Sequence, residues 1–282
     1  MPQIHPQACV DPSAELAEDV EVGPFVIIEA DVKIGKGCVL RAYSMVRRFT
    51  HMGEGNFVDS QVVLGGVPQD LSFDPGTESY LKIGEGNTFR EGVTIHRARN
   101  AGEATTVGNE TYWMANTHAA HNAVIEDGAI LTNNAIVGEH AHLGRRVVLG
   151  GGSTVHPFCW VGERAMFQGL SASHTHVPPF CINGGQNAVA GLNRVGIKRA
   201  ADISRDEARQ IKEAFALLYR RGLSPRDALA QMDAQEDWGP APKHFADFVR
   251  RVIAAEAPFD RGLCPMADRG RQGSQSDSDT ED

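Results

Sequence analysis

Apolar residues recur at every sixth position along this chain. The row runs Ile4, Val10, Leu16, Val22, Ile28, Ile34, Leu40, Val46, Met52, Val58, Leu64 without a break and resumes at Ile83, Phe89 and Ile95. It runs again from Val107 through Trp113, Ala119, Ile125, Leu131, Val137, Leu143, Leu149, Val155 and Val161 to Phe167. At 41% hydrophobic composition, eleven consecutive hits in one phase have chance odds on the order of 1 in 10,000, so the repeat dominates the reading of the chain. A helix would space apolar residues by three and four, and an amphipathic strand would alternate them. A six-residue step suits neither. It suits a prism whose flat walls are one hexad long, three hexads closing a coil of 18 residues, with inward side chains stacked at the strand spacing of roughly 4.8 Å. Gly follows the apolar residue repeatedly, as in Val22-Gly23, Ile34-Gly35, Val137-Gly138 and Leu149-Gly150, and is expected to relieve the corners at positive φ. The repeat predicts an all-β parallel β-helix of about eight coils.

The prism is expected over residues 1–185, interrupted by loops at 66–82 and 97–105, where the row of apolar residues fails. Beyond Pro178-Pro179 the pattern becomes helical. Ser204 reads as an N-cap, with Asp206 and Glu207 in the first turn of a helix that ends near Gly222. Ser224-Pro225 opens a second helix through Met232, with Pro at its first position. A third runs from about Lys243 to Ala255, with Phe245, Phe248, Val249 and Ile253 on one face. This helical domain, 186–262, is expected to cover the open end of the prism, where unpaired strand edges invite association. An acidic tail, 263–282, ending Gln275-Ser-Asp-Ser-Asp-Thr-Glu-Asp282, is expected to be disordered.

Composition narrows the setting. The five cysteines are scattered without CxxC pairing and read as reduced thiols, neither a disulfide framework nor a zinc knuckle. A net charge of −9 argues against nucleic acid as a partner. There is no charged-then-apolar leader and no run near the roughly 18 apolar residues a membrane span needs, which predicts a cytoplasmic protein without stable membrane insertion.

Candidate chemistry lies in the histidines. His118, His121, His140 and His156 cluster, and the steps His121–His140 and His140–His156 are 19 and 16 residues, each close to one coil. One outward His on a coil is plain surface; three on one stripe with a fourth beside them point to a site. Two functional readings stay open at this point: imidazoles on adjacent coils binding zinc, or one general base with the others holding a phosphorylated ligand.

Four segments, Asn116-Thr-His118-Ala-Ala-His121-Asn, Thr94-Ile-His-Arg97, Pro68-Gln-Asp-Leu71 and Val155-His156-Pro-Phe-Cys159, resemble, in order and separation, the motifs of the UDP-N-acetylglucosamine O-acyltransferases that open lipid A biosynthesis. The resemblance covers about residues 1–260 and implies the left-handed form of the β-helix. It implies an enzyme that moves a long-chain (3-hydroxy)acyl group from acyl carrier protein to the 3-position of UDP-N-acetylglucosamine. It further implies a homotrimer, with sites between subunits and no cofactor.

Carried over by motif, the resemblance makes His121 the catalytic base and puts the backbone N–H of Glu139 at the oxyanion position. Asp70, His118, His140, His156, Asn193 and Arg199 become substrate-binding residues, and Gly169 ends the acyl groove. Asp70 also reads as the cap of a loop turn and Gly169 as an ordinary corner glycine. The chain departs from the family at Ser72, where a Lys is usual, and at Asn122, where an Asp usually follows the base. It departs again at Pro157 in place of Gln and at Glu139 in place of Gly. These changes leave open an N-acyltransferase on a UDP 3-amino sugar. A zinc carbonic anhydrase of the gamma class is a second enzyme reading on the same prism, and Ser72 and Asn122 support a non-catalytic binding paralogue. Binding an acidic carrier predicts a local basic patch, with Arg145-Arg146, Arg164, Lys198-Arg199 and Arg220-Arg221 as candidates.

Overall fold

The computed structural model describes residues 1–267. The last fifteen residues of the expected tail lie outside the described residues. The chain winds into the left-handed parallel β-helix, its short strands stacked in three walls of 11, 9 and 8 strands. Register follows the repeat: Ile4 pairs with Val22, Val10 with Ile28 and Leu16 with Ile34. The apolar row points inward from Val22 on and is buried throughout the middle coils. At the open first end Ile4 is 42% exposed.

A second inward row lies two residues before the first. Val26, Val32, Cys38, Ser44, Asn56, Val62, Thr111 and Ala123 are all buried there. Its small and often polar members hide it from a count of large apolar residues. The polar ones are paired: the Asn56 Oδ1 accepts from the Asn87 backbone and side-chain N–H groups, and the Asn87 Oδ1 accepts from the Thr111 N–H and hydroxyl. A buried amide without such partners would be costly.

The glycines act differently from expectation. Gly35 and Gly138 are not in the left-handed region. A Cβ on Gly35 would stand 2.6 Å from the Gly53 carbonyl carbon, and one on Gly138 2.6 Å from the Pro157 nitrogen. Close stacking of coils, not positive φ, requires glycine there. The left-handed residue falls two positions later, as at Gly37 (φ 65°) and Asn122 (φ 60°), Asn being a residue that tolerates that region.

Both loops leave the prism at one corner, between the nine-strand and eight-strand walls, on successive coils. The first spans 67–79, between strands Val63–Gly66 and Tyr80–Ile83. It stretches the coil so that Asn56 and Asn87, 31 residues apart, stack. The second, 97–103, lies between Thr94–His96 and Ala104–Val107. It lengthens the coil to 24 residues, one extruded hexad, so the six-residue phase survives it and is not broken as expected. Arg97, buried, joins the loops: its guanidinium donates to the Thr77 and Pro75 carbonyls at 2.8 Å.

The prism continues past Phe167, because the inward site of the next coil holds the buried Ser173. Four helices follow among the described residues: α1 (Arg194–Arg199), α2 (Arg205–Tyr219), α3 (Pro225–Asp233) and α4 (Pro240–Ile253). Ser204 caps α2 as the sequence predicts, and Glu207 bonds back to it to complete a capping box, whereas α1 was not anticipated. The bundle packs against the last coils through Trp160, Phe248 and Val252 and through the Arg164–Asp202 ion pair at 2.5 Å. It does not by itself close the final strand edge. Strand Cys181–Asn183 is paired antiparallel by Val189–Leu192, and Val189 bonds in turn to Pro265 and Ala267. An edge needs backbone partners, which an extended segment supplies and a helix does not. Residues 263–267, assigned to the tail from sequence, therefore belong to the folded end, with Cys264 buried.

Candidate active site

The corner that releases both loops carries the candidate site residues on its next turns. His121 and Asn122 follow strand His118–Ala119, and Glu139 and His140 occupy the same corner one coil on. The His121 and His140 rings meet edge to face at 5.5 Å, and His140 stacks on Phe158 at 4.8 Å. His156 stands apart on an exposed turn, its Nδ1 3.2 Å from the Pro157 carbonyl. The stripe of three is thus a contacting pair and a neighbour, because a 19-residue step and a 16-residue step drift in opposite directions from the 18-residue coil.

The hydrogen bonds define the tautomer of the neutral His121 ring. The Asn122 Oδ1 accepts the Arg99 backbone N–H at 2.9 Å, and its Nδ2 donates to the Glu103 carboxylate at 2.5 Å. The amide orientation is therefore set from both ends. His121 Nδ1 lies 2.9 Å from the same Oδ1 and must be the donor. Neutral His121 then carries its proton on Nδ1 and presents Nε2 as a lone-pair acceptor.

His118 sits one wall earlier, its Nδ1 2.8 Å from the Thr94 hydroxyl, and packs edge to face on His96 at 4.7 Å. Burial lowers the His118 pKa. Burial, with the neighbouring His118 and His121, pushes buried His96 down to about 4. His140 is lowered too, chiefly by burial and then by His121. Around His121 the structure thus favours neutral imidazoles near pH 7.

Asp70 reaches this corner from the first loop. Its Oδ1 accepts the Ser72 backbone N–H at 2.8 Å and the Ser72 hydroxyl at 2.7 Å, so the turn-capping reading holds. Its Oδ2 is ion-paired with Arg99, which also donates to the Ser72 hydroxyl at 2.9 Å. The bonds from Ser72, followed by Arg99, hold the Asp70 carboxyl well below the usual carboxylate range. Arg99 brings a cation to the place where Ser72 lacks one. Neither Arg99 nor Glu103 was singled out from sequence.

Glu139 lies one coil on from His121 in the backbone ladder: Gly138 donates to Val155 and His140 donates to His121, while no backbone acceptor among the described residues takes the Glu139 N–H. Gly169 is exposed, and a Cβ there would meet only the Gly151 carbonyl oxygen at 3.5 Å, so its own fold does not demand glycine. Asn193 is buried as the N-cap of α1, its Oδ1 accepting the Gly196 N–H and its Nδ2 donating to the Arg164 carbonyl, both at 2.9 Å. That structural role was not anticipated. Arg199 ends α1 on the surface. Arg164, a candidate for a basic patch, is 6% exposed and paired with Asp202 and Glu163, so it offers no surface charge. No three His, Cys, Asp or Glu side chains among the described residues converge as a metal would require. No helix among them is long and apolar enough to cross a membrane.

Comparison with known proteins gives the same direction. Residues 13–48 match the bacterial transferase hexapeptide repeats, and residues 176–264 match the second domain of UDP-N-acetylglucosamine O-acyltransferase. The acyl-[acyl-carrier-protein]–UDP-N-acetylglucosamine O-acyltransferase of Anaeromyxobacter sp. is 36% identical over 88% of this chain and 96% of its own length. That of Stenotrophomonas maltophilia is 37% identical over 92% and 98%. The crystal structure of the Moraxella catarrhalis UDP-N-acetylglucosamine O-acyltransferase superimposes with a TM-score of 0.85 at 33% identity, covering 93% of this chain and 99% of that one. With relatives this similar along nearly their whole length, and with the prism, both loops and the helical end in place, the chain belongs to the UDP-N-acetylglucosamine O-acyltransferase family.

Proposed function

We propose that this protein transfers an acyl group from acyl carrier protein to the 3-hydroxyl of UDP-N-acetylglucosamine, the first step of lipid A biosynthesis, with His121 as general base. The carrying observation is the bond from His121 Nδ1 to Asn122, which makes Nε2 the lone-pair acceptor of the neutral ring. An alcohol is a poor nucleophile until a base near neutral pKa takes its proton. Nε2 receives that proton as the sugar oxygen attacks the thioester carbonyl. The resulting oxyanion is met by the Glu139 N–H, a backbone donor that survives the change from Gly. Collapse expels the carrier thiolate, which takes the proton back from the imidazolium. His118, His140, His156, Asp70 and Arg199 contribute to binding the sugar nucleotide, and the bare Gly169 leaves room for the acyl chain. Asn193 acts indirectly, by holding α1 and with it Lys198 and Arg199.

Ser72 and Asn122 were the grounds for a non-catalytic paralogue, and the charges they omit are present on Arg99 and Glu103. Assembly as a homotrimer of about 90 kDa, three chains of 30.5 kDa, is part of the proposal, closed by threefold symmetry. Outward-facing Ile130, Ile136 and Met166 support wall-to-wall contact. The carrier-bound donor supports a cytoplasmic setting.

The test is an assay with long-chain hydroxyacyl carrier protein against UDP-N-acetylglucosamine and its 3-amino analogue. His121→Ala should lower kcat by roughly 100- to 10,000-fold with the assembly intact. Near-normal turnover by His121→Ala removes the base assignment, and a monomeric mass by light scattering at micromolar concentration removes a site shared between subunits. Turnover with the amine alone moves the acceptor to the 3-amino sugar.

A further inference from the structure

His121 has no carboxylate beside it in sequence, yet one stands a single amide away in space. Glu103 occupies the same prism corner one coil before His121, because Thr106 pairs with Val124 and the register carries back along the wall. Its carboxylate accepts from Asn122 Nδ2 at 2.5 Å and from Asn100 Nδ2 at 3.1 Å. The nearby guanidinium of Arg99 is turned to Asp70 and Ser72, so it does not neutralise Glu103 by direct pairing. The other titratable groups packed around His121 and His140 are His96, His118 and Glu139.

We infer that Glu103 is a positioning residue for this active site, acting on His121 through the Asn122 amide as the carboxylate that the chain lacks at position 122. The inference rests on His121 being the base. A carboxylate that accepts from Nδ2 polarises the amide, strengthens Oδ1 as an acceptor for the His121 Nδ1–H, and favours the imidazolium as the base takes its proton. Because Asn122 also accepts from Arg99 N–H, the second loop holds both ends of the amide, and the ring cannot turn without breaking that arrangement. The extruded hexad is thus part of the catalytic geometry.

The experiment compares Glu103→Gln, Asn122→Ala, their combination and His121→Ala in the full-length protein. Glu103→Gln keeps an acceptor for Asn122 and removes only the charge. A charge at this remove in a partly exposed site is worth about a half to one pH unit on the base and about three- to tenfold in rate. Glu103→Gln should therefore lower kcat by that factor, move the acidic limb of the kcat profile to lower pH by that amount, and leave KM for the sugar nucleotide within twofold. Asn122→Ala, which breaks the link with Glu103 still present, should move the limb in the same direction, and Glu103→Gln should add little on that background. An unmoved limb in Glu103→Gln, or additive effects in the double variant, overturns the inference while an inactive His121→Ala leaves the base intact. Turnover by His121→Ala instead overturns the base, and this inference with it.

Discussion

Replacing Asn122 by Asp gives the chain the carboxylate its relatives are expected to carry, and from sequence alone the change should raise the imidazole pKa. The structure predicts a different outcome. The new oxygen takes the place of an Nδ2 that now donates to Glu103 at 2.5 Å, so two carboxylates face each other. The rest of the site is undisturbed, because Oδ1 still accepts from Arg99 and His121. Relaxed to about 3.5 Å, two unit charges at an effective dielectric constant of 40–80 repel by about 1–2.5 kcal/mol, suited to a partly exposed pair. That raises the second carboxyl ionisation by about one to two pH units, to about pH 5–6. Above that range the corner holds two negative charges, and the imidazole pKa rises; below it the pair shares a proton and the local charge equals that of the unaltered protein. The kcat profile of Asn122→Asp should therefore show an extra ionisation between about pH 5 and 6. The double variant Asn122→Asp/Glu103→Gln has one carboxylate and should show none. Matching profiles for the single and double variants would refute the reasoning, since Glu103 would then lie beyond reach of position 122 in the working enzyme.

Gly169→Leu should shorten the preferred acyl chain with little loss of stability, because the fold leaves a Cβ there in ordinary contact; competition between carrier-bound acyl chains of different length reads this, and an unchanged preference removes Gly169 from the groove. Gly138→Ala should destabilise by about 1–3 kcal/mol in urea unfolding, since its Cβ meets the Pro157 backbone nitrogen at 2.6 Å, and a neutral result would show that the coils can separate locally. His176 is fully buried, accepts the Trp160 N–H at Nδ1 and donates from Nε2 to the Phe259 carbonyl, and burial pushes its pKa down to about 4. The unfolded chain binds its proton first, so its contribution is full above pH 6.5 and falls by about 3 kcal/mol as pH drops to about 4. Unfolding midpoints measured from pH 7 to 4 should fall less steeply for His176→Gln than for the parent, and equal slopes would contradict the assignment.

The six-residue row determined the prism, because one large side chain per wall is a constraint each hexad meets locally, whatever its distant neighbours. Helices α2 to α4 were legible for the same reason: a cap at Ser204, a Pro at position 225 and an apolar face on α4 act within a few residues. The second inward row was written in the sequence two residues before the first, but its Ser, Thr and Asn carry no apolar signal and become core only when coils stack. How the final strand edge is covered was not legible, because Val189 and residues 265–267 meet through backbone hydrogen bonds, which side-chain patterns do not encode. His118, His121 and Asp70 stand in motifs that the sequence shows, and His140 in the spacing of the histidines. Arg99 and Glu103 were not, although counting 18 residues back from His121 lands on Glu103. Ser72 and Asn122 looked like losses because sequence shows only what stands next in the chain. The tertiary structure decided otherwise: two loops leaving one corner on successive coils bring a guanidinium to Asp70 and a carboxylate to Asn122, and electrostatics depends on that distance through space, not on separation along the chain.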